Sequence, residues 1–160
     1  MKDNKTIIES LNKHLSKVDE VGENSPVELE KMIMKKANGN AFGKLVWAMI
    51  KPTVVAQSGR YVKPNFNEIK PLIVKDLKDS IAIMTKEDGM TKEEAIGYLL
   101  DPAQYDDEIG NYADCTFADG LMDIIDAPGG AIVGKFEDEM VDFLDKEIKR
   151  NYKQFIQAVK

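Results

Sequence analysis

The amino-acid sequence predicts an all-α fold, a compact bundle-like arrangement of six to eight helices in one domain over residues 1–160. Three observations lead there. Apolar residues recur at intervals of three and four through most of the chain, the stripe of amphipathic helices. The strict alternation of a half-buried strand is missing. The connections between periodic segments are short, as in bundles whose neighbouring helices pack together. A length of 160 residues suits one core and is short for two.

The elements follow in chain order. Ile7, Ile8, Leu11, Leu15 and Val18 form the first stripe, with His14 at its edge. "NSPVELEKMIMKKANG" starts a second helix: Asn24 or Ser25 can cap it, Pro26 suits its first turn, and Asn38-Gly39 suits its end. A third helix carries Phe42, Leu45, Val46, Met49 and Ile50 on one face, and Pro52 is expected to end or kink it. Val54 and Val55 either continue that helix towards Gly59 or belong to a short hairpin about Ser58-Gly59. A long helix follows, with Ile69, Leu72, Ile73, Leu77, Ile81 and Met84 as its core face and Pro71 near its first turns. "TKEE" at 91–94 reads as a capping box, Thr91 capping and Glu94 reaching back. The helix it opens ends near Asp101-Pro102, another runs from about Asn111 to Asp126, and the last runs from about Lys135. That last helix buries Phe136, Met140, Phe143, Leu144, Ile148, Tyr152, Phe155 and Val159.

Composition narrows the function classes. Hydrophobic residues make up 43% and charged residues 31%, as in ordinary globular proteins, and no apolar run is long enough to span a bilayer. The N-terminal stretch is charged throughout and has no apolar h-region, so the expected location is cytoplasmic. One cysteine, Cys115, and one histidine, His14, exclude internal disulfides, multi-cysteine metal sites and zinc sites built on several His or Cys. Only Arg60 and Arg150 offer guanidinium forks for phosphate or carboxylate.

One motif invites a nucleotide-binding reading. "GGAIVGKF" at 129–136 contains G-x-x-x-x-G-K, the spacing of a P-loop, through Gly129, Gly134 and Lys135. Phe136 stands where such a loop needs a hydroxyl for Mg²⁺, and the segment before it is helical where a strand should be. The glycines therefore read as the turn between two helices.

The stronger signal is charge. From Glu93 to Gly134 there is no Lys, Arg or His, while ten Asp and Glu residues fall in the same window. The chain as a whole carries −6, so everything outside this window sums to +4. Asp119, Asp123 and Asp126 are spaced i, i+4, i+7 and share one helix face, with Phe117, Leu121, Ile124 and Ile125 on the other side. Like charges one turn apart cost a helix only about 0.2–0.5 kcal/mol per pair. A solvated face therefore explains the pattern without any ligand. Two functional readings use it: carboxylates that bind Mg²⁺ through oxygen, or an acidic surface that steers a basic partner protein. Asp114 and the loop acids Asp106, Asp107 and Glu108 extend either one. The acidity argues against direct nucleic-acid binding, for which Lys146, Lys149, Arg150 and Lys153 on the last helix are the nearest, and thin, basic candidate.

"FADGLMDIID" resembles the second metal-binding helix of the all-α nucleoside-triphosphate pyrophosphohydrolases, the MazG-like family. Members often read E-L-A-D, a hydrophobic stretch, then L-D, and Ala118-Asp119 and Ile125-Asp126 fall at matching spacing. "KEIKRNY" is similar to a Lys-rich segment with Asn that follows in some members. The resemblance implies Mg²⁺ held by an E-x-x-E pair on one helix and an E-x-x-D pair on another, with a bound water attacking the triphosphate. Asp119 matches one ligand; Thr116 stands where its Glu partner belongs, and no E-x-x-E pair occurs on an earlier helix.

Two expectations result. The first is a small acidic interaction protein, of inhibitor or immunity type, without a cofactor. It would bind a basic protein through Asp106, Asp107, Glu108, Asp114, Asp119, Asp123 and Asp126. The alternative is a Mg²⁺-dependent nucleoside-triphosphate pyrophosphohydrolase, or a degenerate relative, with Asp119 and Asp123 on the metal.

Overall fold

A computed structural model describes residues 25–38, 40–101 and 112–160. The expected first helix with His14, and Asp106, Asp107 and Glu108, lie outside the described residues. Within them the fold is all-α, with no strand. We number the helices α1 (Pro26–Lys36), α2 (Ala41–Ala56), α3 (Phe66–Glu87), α4 (Lys92–Leu100), a π-helical turn (Tyr112–Phe117), α5 (Ala118–Ile125), α6 (Ala131–Lys135), α7 (Glu137–Arg150) and α8 (Tyr152–Val159).

Local chemistry fixes most boundaries. Ser25 caps α1, its hydroxyl accepting from the Glu28 amide at 3.2 Å, and Pro26 occupies the first turn where its missing N–H is harmless. Asn40 and Asn65 cap α2 and α3 by accepting from Gly43 N (3.2 Å) and Asn67 N (2.9 Å). The capping box at Thr91 is complete: Thr91 Oγ1 accepts from Glu94 N at 3.0 Å, and Glu94 Oε1 accepts from Thr91 N at 3.1 Å.

Pro52 does not end its helix: of the two alternatives, Val54 and Val55 continue it, and α2 runs on to Ala56 and stops at Gln57, which takes the left-handed conformation (φ 52°). Burial outweighs the lost N–H: Met49, Ile50, Thr53 and Val54 pack into the core on both sides of the proline. No hairpin follows. The chain folds back along α2 instead, held by Val62 N donating to Thr53 Oγ1 (2.8 Å) and Tyr61 OH donating to the Met49 carbonyl (3.0 Å).

The last helix is two helices. Asn151 breaks the run because its side-chain amide donates to the Glu147 carbonyl at 2.8 Å, competing locally with helical geometry. "GGAIVGKF" is likewise more than a turn: Ala131–Lys135 forms the short helix α6.

The core is one continuous cluster. α2 packs on α1 and α3, α3 on α4 and α8, and the π turn and α5 on α7. Leu29, Ile33, Leu45, Met49, Ile69, Ile73, Leu77, Phe117, Leu121, Met140, Leu144 and Phe155 are all buried within it.

Candidate acidic face

The carboxylates singled out by spacing sit on the outer side of α5 because its inner side is fully committed. Phe117, Leu121 and Ile124 are buried, and Phe117 meets Phe42 of α2 edge-on at 5.5 Å between ring centroids. A Cβ at Gly120 would lie 2.7 Å from the Phe42 ring, so glycine lets α5 seat against that ring. Burial of this side leaves Asp119, Asp123 and Asp126 exposed together, and Asp114 exposed on the π turn before them. Met122, 44% exposed, lies among the three α5 acids on the same face.

Among the described residues no three His, Cys, Asp or Glu side chains come close enough to hold a metal ion, so Asp119 and Asp123 gain no third ligand there. None of the ion pairs between described residues involves them either. The cations of the C-terminal helices are differently placed. Lys146 pairs with Asp142 (2.9 Å), Lys149 with Asp145 (3.0 Å) and Arg150 with Glu147 (3.0 Å), so much of that basic face is neutralised by its own helix.

The P-loop spacing has a packing explanation. Gly129 takes φ +87°, as the turn after α5 requires. A Cβ at Gly130 would stand 1.9 Å from the Ile124 carbonyl oxygen, and one at Gly134 would stand 3.0 Å from Ile125 Cγ2. The two glycines let α6 press against the end of α5, and Lys135 sits 5.5 Å from the centroid of the Phe136 ring.

One feature escaped the spacing arguments. Asp76 of α3 is buried, 6% exposed, and accepts a hydrogen bond from Tyr112 OH at 2.5 Å. Burial pushes its carboxyl up to about 6; the Tyr112 bond works against the rise and Asp79 adds to it. Tyr112 is itself held well above its ordinary value by burial, with the Asp76 charge beside it. The bond ties the π turn to α3. The sequence signals the burial of Asp76 but not its partner: Asp76 falls seven residues after Ile69 and three after Ile73, on the core stripe.

No helix among the described residues is long and apolar enough to cross a membrane. Comparison with protein families, with curated proteins and with solved structures returned no match.

Proposed function

We propose that the chain is a small acidic interaction protein of inhibitor or immunity type, acting in the cytoplasm on a basic partner protein. One observation carries this reading: Asp119, Asp123 and Asp126 stand exposed on a single face around the half-exposed Met122, with their opposite side fixed in the core. Such a face offers long-range attraction for a cationic surface and an apolar contact at its middle. Neutralising it should act on association before dissociation. The test is capture of a partner with the wild-type chain, followed by stopped-flow association with wild type and with D119N/D123N/D126N across a salt series. The triple variant is expected to associate more slowly and with a flatter salt dependence. An unchanged rate at every salt concentration would sink the proposal.

The Mg²⁺-dependent hydrolase is the second reading, supported by the MazG-like resemblance and by Asp119 and Asp123 standing one turn apart on an exposed face. Mg²⁺ often takes only one or two protein carboxylates and completes its shell with water and substrate phosphates. This reading requires thermal stabilisation by Mg²⁺ or Mn²⁺ that D119N abolishes, and pyrophosphate release from a nucleoside triphosphate. Absence of both removes it.

A further inference from the structure

A groove separate from the acidic face crosses the junction of α3, α4 and α8, in two lobes that share Lys92 and Lys160. The first lobe, with a cavity volume of about 400 Å³, has Ile81 and Val159 on its floor, 5% and 2% exposed. Lys78, Lys92 and Lys160 stand around it, and no Asp or Glu among the described residues lines it. The second lobe, of about 570 Å³, continues over Ile96 and Ile156, and Glu93 and Asp101 line it too, so the cationic part of the groove is the first lobe. Lys92 joins the lobes by donating from Nζ to the main-chain oxygen of Lys160. An ammonium has three N–H donors, so this bond leaves Lys92 able to meet an incoming acceptor.

We propose that this groove is a docking site for an acidic amphipathic segment of another protein. Apolar side chains of the segment lie over Ile81 and Val159, and its carboxylates meet Lys78, Lys92 and Lys160. Charge complementarity selects the occupant: the first lobe is cationic in a chain of net charge −6. The rim is lysine without arginine, so it offers movable point charges and no forked, two-bond grip. The first lobe is about half open to solvent, which suits a segment laid across it better than a small molecule engulfed on every side. A bilayer is a poor fit because the floor is recessed below the lysines, where a flat lipid surface does not reach. The site does not depend on the acidic face of α5.

The test uses a fluorescein-labelled synthetic helix-forming peptide, with Leu at one-turn spacing flanked by Glu, in anisotropy titrations against the full chain. Saturable binding is expected. It should weaken about tenfold or more in K78E/K92E, fall between in K78Q/K92Q, and remain unchanged in D119N/D123N/D126N. Circular dichroism checks that each variant is folded. The peptide with Lys in place of Glu should not bind D119N/D123N/D126N, in which the acidic face is neutralised and the groove is intact. Four results would overturn the proposal: no saturable binding, equal binding by wild type and K78E/K92E, and two more that reassign the groove. Self-association by sedimentation that K78E/K92E abolishes would give it to a second copy. Co-sedimentation with phosphatidylglycerol vesicles that K78E/K92E abolishes would give it to a lipid surface.

Discussion

Replacing Asp76 with Asn tests the buried carboxyl directly. The wild-type group titrates near 6 in the fold, against 3.8 for the ordinary side chain. The folded state therefore holds the proton more tightly than the unfolded chain does. The stability this contributes is fully present below pH 3.8 and is lost as the pH rises to about 6, after which the buried charge is a constant burden. The difference between the two values corresponds to about 3 kcal/mol at neutral pH, an upper figure for what removing the charge can return. Asn keeps an oxygen that accepts from Tyr112 and cannot ionise. D76N is therefore expected to lie close to wild type at pH 4 and to pull ahead between pH 4 and 6.5. It should settle about 1–3 kcal/mol more stable at pH 7.5, the lower end allowing for a new amide N–H in need of a partner. For a domain of this size that is an increase in Tm of about 3–10 °C. Paired urea and thermal melts at pH 4, 5, 6 and 7.5, followed by circular dichroism, measure the gap. A gap that stays constant from pH 4 to 7.5 would refute the reasoning, because no other site differs between the two proteins.

Tyr112→Phe removes the donor while leaving the carboxylate buried, so it should destabilise by about 1–3 kcal/mol at pH 7.5 and by less at pH 4.5. Combining it with D76N in a double-mutant cycle should give a coupling that shrinks as the pH falls. Gly130→Ala places a methyl against the fixed Ile124 carbonyl and should lower Tm sharply or prevent folding. Gly134→Ala meets only the end of the Ile125 side chain and should be much milder, so equal effects in thermal melts would count against the packing account. Thr91→Ala breaks one arm of the capping box and should cost about 1 kcal/mol in urea unfolding, with little change in m.

What could be read from the sequence was whatever depends on one helix at a time. Ser25 and Thr91 announced two helix starts because capping is chemistry between near neighbours. The outward placement of Asp119, Asp123 and Asp126 followed from helical geometry alone. The break at Asn151 was hidden because Ile148, Tyr152, Phe155 and Val159 keep three- and four-residue spacing straight through it. Pro52 misled because a helix interior tolerates a proline when enough apolar surface is buried on both sides, and burial is not a local property. The Asp76–Tyr112 bond joins residues 36 positions apart, and the lysine-rimmed groove draws on three helices. Both belong to the interhelical arrangement, which spacing within a single helix does not encode.

The π turn before α5 sets the rotational phase of what precedes it. It takes one residue more per turn than an α-helix, yet Ala113, Phe117 and Leu121 still fall on the buried side. Winding the same six residues as regular α-helix, at about 100° each, would swing Tyr112 by roughly a third of a turn relative to α5. Tyr112 would leave Asp76, and Asp114 would point away from its present direction. The π winding therefore orients the approach to the acidic face and at the same time ties it to α3.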